Sequence, residues 1–233
     1  MDSITNIPLP LLALSLAPII IILIIQWKWT LNFRETIFAV IRMLAQLAAI
    51  GYLLVFIFTT KNPAIIIAVL GVMITAAAWI ALRTVPSRRR KLYPTAFLSI
   101  FFAGTSILIL ITQGVLQIDP WYKPQFMVPL AGMIYAYSMN ALSLGADRFY
   151  HEIDQGVDKQ KARSSAYRAA LIPATNSFFA TGLVLIPGMM TGQILSGVDP
   201  LIAARYQIMV MAMVFGAGGL SSAIFLTLVS KDA

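Results

Sequence analysis

Cysteine is absent from the 233 residues and histidine occurs once. These absences exclude disulfides, thiolate metal sites, thiol nucleophiles and the usual His-rich metal clusters. Charge is scarce as well: 11% of the residues are Asp, Glu, Lys or Arg, against about 25% in an ordinary soluble domain. No run with the spacing G-x-x-x-x-G-K-[ST] occurs, so the chain lacks the phosphate cradle of an ATPase and any nucleotide energy has to come from a partner. The segment Met1 to Pro10 holds Asp2 and no basic residue ahead of its apolar stretch, which argues against a secretory signal and for a first segment that stays as a helix.

What fills the chain is apolar. Hydrophobic residues make up 59% and the mean hydropathy is +0.84, values of an integral membrane protein. The 17 Lys and Arg against 9 Asp and Glu give +8, a balance that would suggest nucleic acid in a soluble protein. Here it follows from the concentration of cations in cytoplasmic loops, and no nucleic-acid partner is expected.

Crossing about 30 Å of hydrocarbon takes roughly 17 to 25 mostly apolar residues. Seven segments come close or qualify, at about 8 to 26, 36 to 58, 63 to 82, 95 to 113, 125 to 146, 169 to 186 and 201 to 229. Their continuous apolar character excludes a β-barrel, whose strands alternate in polarity. The expected fold is therefore all-α and polytopic, one membrane domain over residues 1–233. Thirteen cations fall on one side: Lys28 and Arg34, Arg83 and Arg88 to Lys91, Arg148, Lys159, Lys161, Arg163 and Arg168, and Lys231. The opposite loops hold Lys61 and Lys123, while Arg42 and Arg205 lie inside expected helices. This asymmetry puts the N-terminus outside and the C-terminus in the cytoplasm. Trp27, Trp29, Trp121 and Tyr122 stand where interfacial aromatics are expected. The largest polar segment, Asp147 to Arg168, reads as one or two short cytoplasmic helices, either a solvated connection or a docking element for another subunit.

Several polar residues carry a cost in lipid. Centring an Arg in the bilayer costs about 2.5–3.5 kcal/mol on insertion scales. Arg42 either snorkels to headgroups or, with Gln46 on the same helical face, forms a polar stripe on a transport route. Asn140 in the fifth segment and Asn176, with Ser177 and Thr181, in the sixth are either interhelical glue or lining of that route. Pro173 favours a kink. The stretch from Pro187 to Pro200, with Gly188, Met189, Met190, Gly192 and Gln193, is too apolar for an ordinary loop and too rich in Gly and Pro for a straight helix. It reads as an external turn or as a broken helix of the kind that holds substrate in transporters. The methionines that crowd the second half of the chain are better explained by packing than by soft-metal binding.

The runs Ile41-Arg-Met-Leu-Ala-Gln-Leu-Ala-Ala-Ile-Gly-Tyr-Leu-Leu54, Val128-Pro-Leu-Ala-Gly-Met-Ile134, Arg168-Ala-Ala-Leu-Ile-Pro173 and Thr181-Gly-Leu-Val-Leu-Ile-Pro-Gly-Met-Met-Thr-Gly-Gln-Ile194 resemble the FetB-type permeases of ABC transporters. Asp199-Pro200 and Tyr206-Gln-Ile-Met-Val210 extend the likeness over nearly the whole chain. That family includes bacterial proteins implicated in iron export and plant relatives linked to aluminium resistance, for which a nucleotide-sugar substrate has been proposed.

The resemblance implies an inner-membrane permease, an exporter of iron or a metal-related solute, assembled as two copies with two separate cytoplasmic ATP-binding subunits. ATP is then used by the partner and no cofactor is held by this chain. Such permeases present a coupling helix in which an acidic residue precedes a Gly, and Glu152-Ile-Asp-Gln-Gly156 resembles it, with Glu152, Asp154 and Gly156 as coupling candidates. The segment between the fifth and sixth spans is shorter than in the family. Candidate pathway residues are Arg42, Gln46, Asn140, Asn176, Met189, Met190 and Gln193, with Pro173, Pro187, Gly188 and Gly192 as hinge or helix-break positions. A bare iron ion would prefer carboxylates, which the spans largely lack, so a chelated metal or an anionic solute stays open. The rival reading is an ATP-independent channel or secondary transporter for a small solute; inverted repeats and intramembrane carboxylates, which often mark secondary transporters, are not evident.

Overall fold

The structure, a computed structural model, describes residues 7–60 and 62–232. The chain divides into two compact units, Met1–Phe58 and Thr59–Ala233.

In the first unit, α1 (Leu9–Leu14) and α2 (Ala17–Lys28) occupy one apolar stretch. They are separate helices because Pro18, at the start of α2, has no N–H to return to the preceding turn. Ser15 ends α1, its hydroxyl donating to the Leu12 carbonyl at 2.6 Å. The sequence reads this stretch as one helix, so the break at Ser15–Leu16 is a correction. A turn with Thr30 in the left-handed region (φ 57°) leads into α3 (Phe33–Thr59). Its 27 residues span about 40 Å at 1.5 Å each, enough to cross a bilayer.

In the second unit, Asn62 caps α4 (Pro63–Ala81), accepting from the Ala64 N–H at 2.9 Å. Two short 3-10 turns, Leu82–Thr84 and Pro86–Arg88, precede α5 (Arg89–Ile109), which loosens into a π-helical turn at Leu110–Val115. The unit continues with α6 (Pro124–Asp154), α7 (Lys159–Ala180), the short α8 (Gly188–Leu195) and α9 (Pro200–Asp232). α9 is the organising helix and packs against α5, α6, α7 and α8, while α6 also packs against α4, α5 and α7.

Small residues make the seams. Ala162, Ala166 and Ala170 are buried at every fourth position of α7, and α6 buries Ala131, Ser138, Ala141, Gly145 and Ala146. Apolar side chains facing lipid gain nothing by burial against each other, so close backbone approach and hydrogen bonds hold such seams. One such bond joins α9 to α6, Ser221 Oγ donating to Ser138 Oγ at 2.9 Å in a buried position.

Among the described residues five helical stretches are long and apolar enough to cross a membrane: Leu9–Lys28, Phe33–Thr59, Pro63–Thr84, Pro86–Val115 and Pro200–Lys231. α6 and α7, expected as the fifth and sixth of seven spans, do not meet that measure. Tyr, Asn and Pro dilute α6, and the charged run Lys159 to Arg168 occupies the first half of α7. The sixth expected segment, 169 to 186, is also displaced, because α7 starts at Lys159 and stops at Ala180. The polar segment 147 to 168, expected as one or two short helices, is helical on both sides of residues 155–158. It is the end of α6, a tight turn and the start of α7.

Candidate functional site

The α6–α7 turn is built by three residues of the expected coupling segment. Gly156 takes φ +79°, and the N–H groups of Gly156 and Val157 return to the carbonyls of Ile153 (2.9 Å) and Glu152 (3.0 Å). This is the glycine-dependent closure that satisfies the last carbonyls of a helix. Asp158 then caps α7, its carboxylate accepting from the N–H groups of Gln160 (3.0 Å) and Lys161 (3.3 Å). The exposed tip is Asp154 to Gly156 and Asp158 to Lys161.

Glu152 points inward rather than out. It is buried, lies 2.7 Å from an Arg148 guanidinium nitrogen one turn earlier, and accepts from Ser165 Oγ of α7 at 2.7 Å. It therefore locks the two helices of the hairpin together. Asp154 is exposed and receives two hydrogen bonds from Arg88, at 2.8 and 3.2 Å. That guanidinium also lies 4.5 Å above the Tyr150 ring, tying the lead-in of α5 to the tip of the hairpin. Next to it, Arg89 lies 3.8 Å over the Trp79 ring and donates twice to the Trp79 carbonyl. Nothing in the acidic-residue spacing signalled Arg88 as the partner, 66 positions away in the chain.

The Pro187 stretch resolves into a break followed by a helix. After α7, the backbone turns through Gly182 (φ +87°), whose N–H donates to the Leu185 carbonyl at 3.0 Å. The interruption occupies residues 181–187. Pro187 takes the N-cap position of α8, and Gly188 and Gly192 lie within that helix. A side chain at either glycine would meet open space, so no close contact dictates glycine there. Met189, Met190 and Gln193 share α8, each half-buried. The Gln193 side-chain oxygen is shielded yet has no donor, and so is that of Gln207 in α9, a residue not singled out by sequence.

Asn140 is exposed on α6 and lines a small cavity of about 60 Å³ with Tyr137, Pro173, Phe215 and Gly218. Asn176 is exposed on α7 and is not part of that wall. Arg42 and Gln46 are exposed one turn apart on α3, in the first unit. Within the second unit, three of the pathway candidates share α8, Asn140 lines the small cavity and Asn176 stands outside its wall. A larger cavity of about 560 Å³ lies among α4, α5, the π-helical turn and α6. Its walls include Phe97, Phe101, Trp121 and Met127, with Thr105, Gln113 and Tyr135 as polar members. Sequence gave no sign of it, because wall and core residues are of the same apolar types.

Long apolar helices joined along small-residue seams, with a charged helical hairpin at one end, define a polytopic helical membrane protein. The chain belongs to the family described as Uncharacterised protein family (UPF0014), whose model matches residues 9–233. It is 34% identical over 216 residues to a UPF0014 membrane protein of Synechocystis sp., covering 86% of this chain and 83% of the relative. It is 30% identical over 234 residues to the probable iron export permease protein FetB of Escherichia coli, covering 91% and 87%. To the protein ALUMINUM SENSITIVE 3 of Arabidopsis thaliana it is 31% identical over 226 residues, covering 90% and 81%. No solved structure matches.

Proposed function

We propose that this chain is the membrane-spanning permease subunit of an ABC transporter in the plasma membrane, an exporter of iron or a metal-related solute driven by a separate cytoplasmic ATP-binding subunit. Two permease copies and two ATPase subunits make the working assembly, with the N-terminus outside and the C-terminus in the cytoplasm. The observation that carries the reading is the α6–α7 hairpin. Its tip is exposed and charged, Gly156 turns it sharply, and Glu152 and Asp154 anchor it to α7 and to the lead-in of α5. A hairpin braced in this way transmits a push at its tip to the helices on either side. ATP-driven approach of two such tips would favour one of the two access states of the bundle, provided cargo contacts differ between them.

Among the described residues, Glu35, Asp119, Asp154, Asp158, Asp199 and Asp232 stand at helix ends or in turns, and Asp147 and Glu152 lie in the last three turns of α6. That distribution supports a chelated metal or an anionic solute as cargo over a bare cation, which prefers oxygen anions. It also keeps open a nucleotide-sugar cargo.

Co-purification with a candidate ATPase subunit tests the assembly. Binding of that subunit, with vesicle ATP hydrolysis that falls on substitution at the hairpin tip, is the expected result. No association, together with ATP-independent flux, would instead identify a channel or secondary transporter. ATP-dependent uptake of labelled iron and of UDP-sugars into inverted vesicles distinguishes the cargos.

A further inference from the structure

A cavity of about 210 Å³ lies at the charged end of the second unit, between α5, α6 and α9. Its walls are of two kinds. Arg88, Lys91, Thr95 and Tyr150 bring donor groups, and Leu92, Ile153 and Val229 form an apolar side. Arg88 is already fixed by Asp154 and by the Tyr150 ring, but its guanidinium carries five N–H donors and Asp154 engages only part of them. Lys91 is exposed and has no acceptor among the described residues, and the Thr95 hydroxyl likewise has none.

The surrounding charge is one-sided. Arg88, Arg89, Arg90 and Lys91 are consecutive, and among the described residues Asp154 is paired with Arg88. Arg89 is spent on the Trp79 carbonyl. A surplus of positive charge facing a partly apolar cleft, at the end of membrane-crossing helices, matches an anionic amphiphile: a phosphate for the donors and a glycerol or acyl segment for Leu92, Ile153 and Val229.

We propose that this cleft is a binding site for the phosphate of an anionic phospholipid headgroup. Lys91 and Thr95 bind the phosphate, and Arg88, held in place by Asp154, completes the rim. The site is independent of the ATPase-coupled reading, since it needs only a bilayer.

The test uses full-length protein solubilised in a non-ionic detergent, with native mass spectrometry after addition of phosphatidylglycerol or phosphatidylcholine. Phosphatidylglycerol is expected to be retained in preference, and Lys91→Gln to weaken its retention roughly fivefold, the loss of one juxtamembrane cation. Thr95→Val is expected to weaken it without any change of charge. Lys123→Gln, at the opposite end of α6 from Tyr150 and Ile153, is expected to retain the lipid as the parent does. Millimolar inorganic phosphate is expected not to displace it. Equal retention of the two lipids, unchanged retention in Lys91→Gln with unaltered helix content, or displacement by inorganic phosphate would each overturn the proposal, the last by making the cleft a site for a soluble anion.

Discussion

Arg88 grips Asp154 through two hydrogen bonds, of 2.8 and 3.2 Å, while its guanidinium lies 4.5 Å over the Tyr150 ring of the same helix. One side chain thus ties the lead-in of α5 to the last turn of α6. Hydrogen bonding by Arg88, with the added pull of its charge, holds the Asp154 carboxyl below its ordinary value of 3.8. A carboxylate depressed in the folded state contributes stability above its unfolded pKa and loses it as pH falls through the folded one. Asp154→Asn is therefore expected to lower the melting temperature slightly at neutral pH. The gap to the parent protein closes as the solution is acidified below about pH 4. Melting curves of the two detergent-solubilised proteins across that range make the comparison, and a gap that persists into strong acid would deny the ion pair its role.

Glu152 acts differently because it is buried. Removing it takes away the acceptor for Ser165 and the partner of Arg148. Charge-assisted bonds contribute about 1.5–3 kcal/mol each, but Arg148 is half exposed and its share is screened. Glu152→Ala is expected to cost about 1–2 kcal/mol, and Ser165→Ala less, since Arg148 then keeps its partner. Chemical denaturation followed by helical ellipticity measures both. If Glu152 instead served mainly as a contact to another subunit, Glu152→Ala would leave the stability of the isolated chain unchanged.

The helical membrane character was legible in the sequence because apolar runs need no tertiary information to be seen. The limits of α7 were not legible. Its first turns read as polar, yet Ala162 and Ala166 do their packing, and alanine carries little hydropathy compared with the Lys and Arg beside it. The break between α7 and α8 was placed too late, at Pro187 and the glycines after it, because Pro and Gly draw attention wherever they stand. The chain leaves the helix at Thr181 and turns at Gly182. Glu152, Asp154 and Gly156 were singled out by the resemblance to a coupling helix, but Arg88 was not, since a contact across 66 positions has no local signature. The orphan oxygen of Gln207 was missed for a related reason. Its burial depends on how α9 packs.

Glycines in two helices are expected to respond in opposite ways. A Cβ on Gly104 of α5 would lie 2.8 Å from Tyr135 Cε1 and 3.3 Å from Ile134 Cγ2, both in buried side chains, so the Tyr135 ring, which borders the cavity of about 560 Å³, has to shift. Gly104→Ala is expected to destabilise by about 1–3 kcal/mol through overpacking, despite the helix propensity it gains. Gly192→Ala in α8 meets nothing within 4 Å and is expected to stabilise by about 0.5–1 kcal/mol. Transport separates the remaining roles of Gly192. If α8 must unwind or bend during the cycle, Gly192→Ala slows flux while raising the melting temperature, and unchanged flux would remove this position from the list of hinges.

Gly156 provides the sharpest link between local geometry and coupling. At φ +79° an L-residue with a Cβ is strained by roughly 1–2 kcal/mol, whereas Asn tolerates that conformation far better. No neighbour lies within 4 Å of a Cβ there, so the penalty is one of backbone alone. Gly156→Ala is expected to loosen the turn that joins α6 to α7, and Gly156→Asn to preserve it. If the hairpin tip transmits ATP-driven motion, ATP hydrolysis by the reconstituted complex follows the same order: high in the parent, low in Gly156→Ala, largely restored in Gly156→Asn. Melting temperature reports the backbone strain alone, and hydrolysis reports strain and coupling together. Should both variants lose hydrolysis while only Gly156→Ala loses stability, the tip acts by direct contact with the ATPase at Gly156. Should neither variant lose hydrolysis although Gly156→Ala melts lower, the hairpin is a structural joint and coupling lies elsewhere.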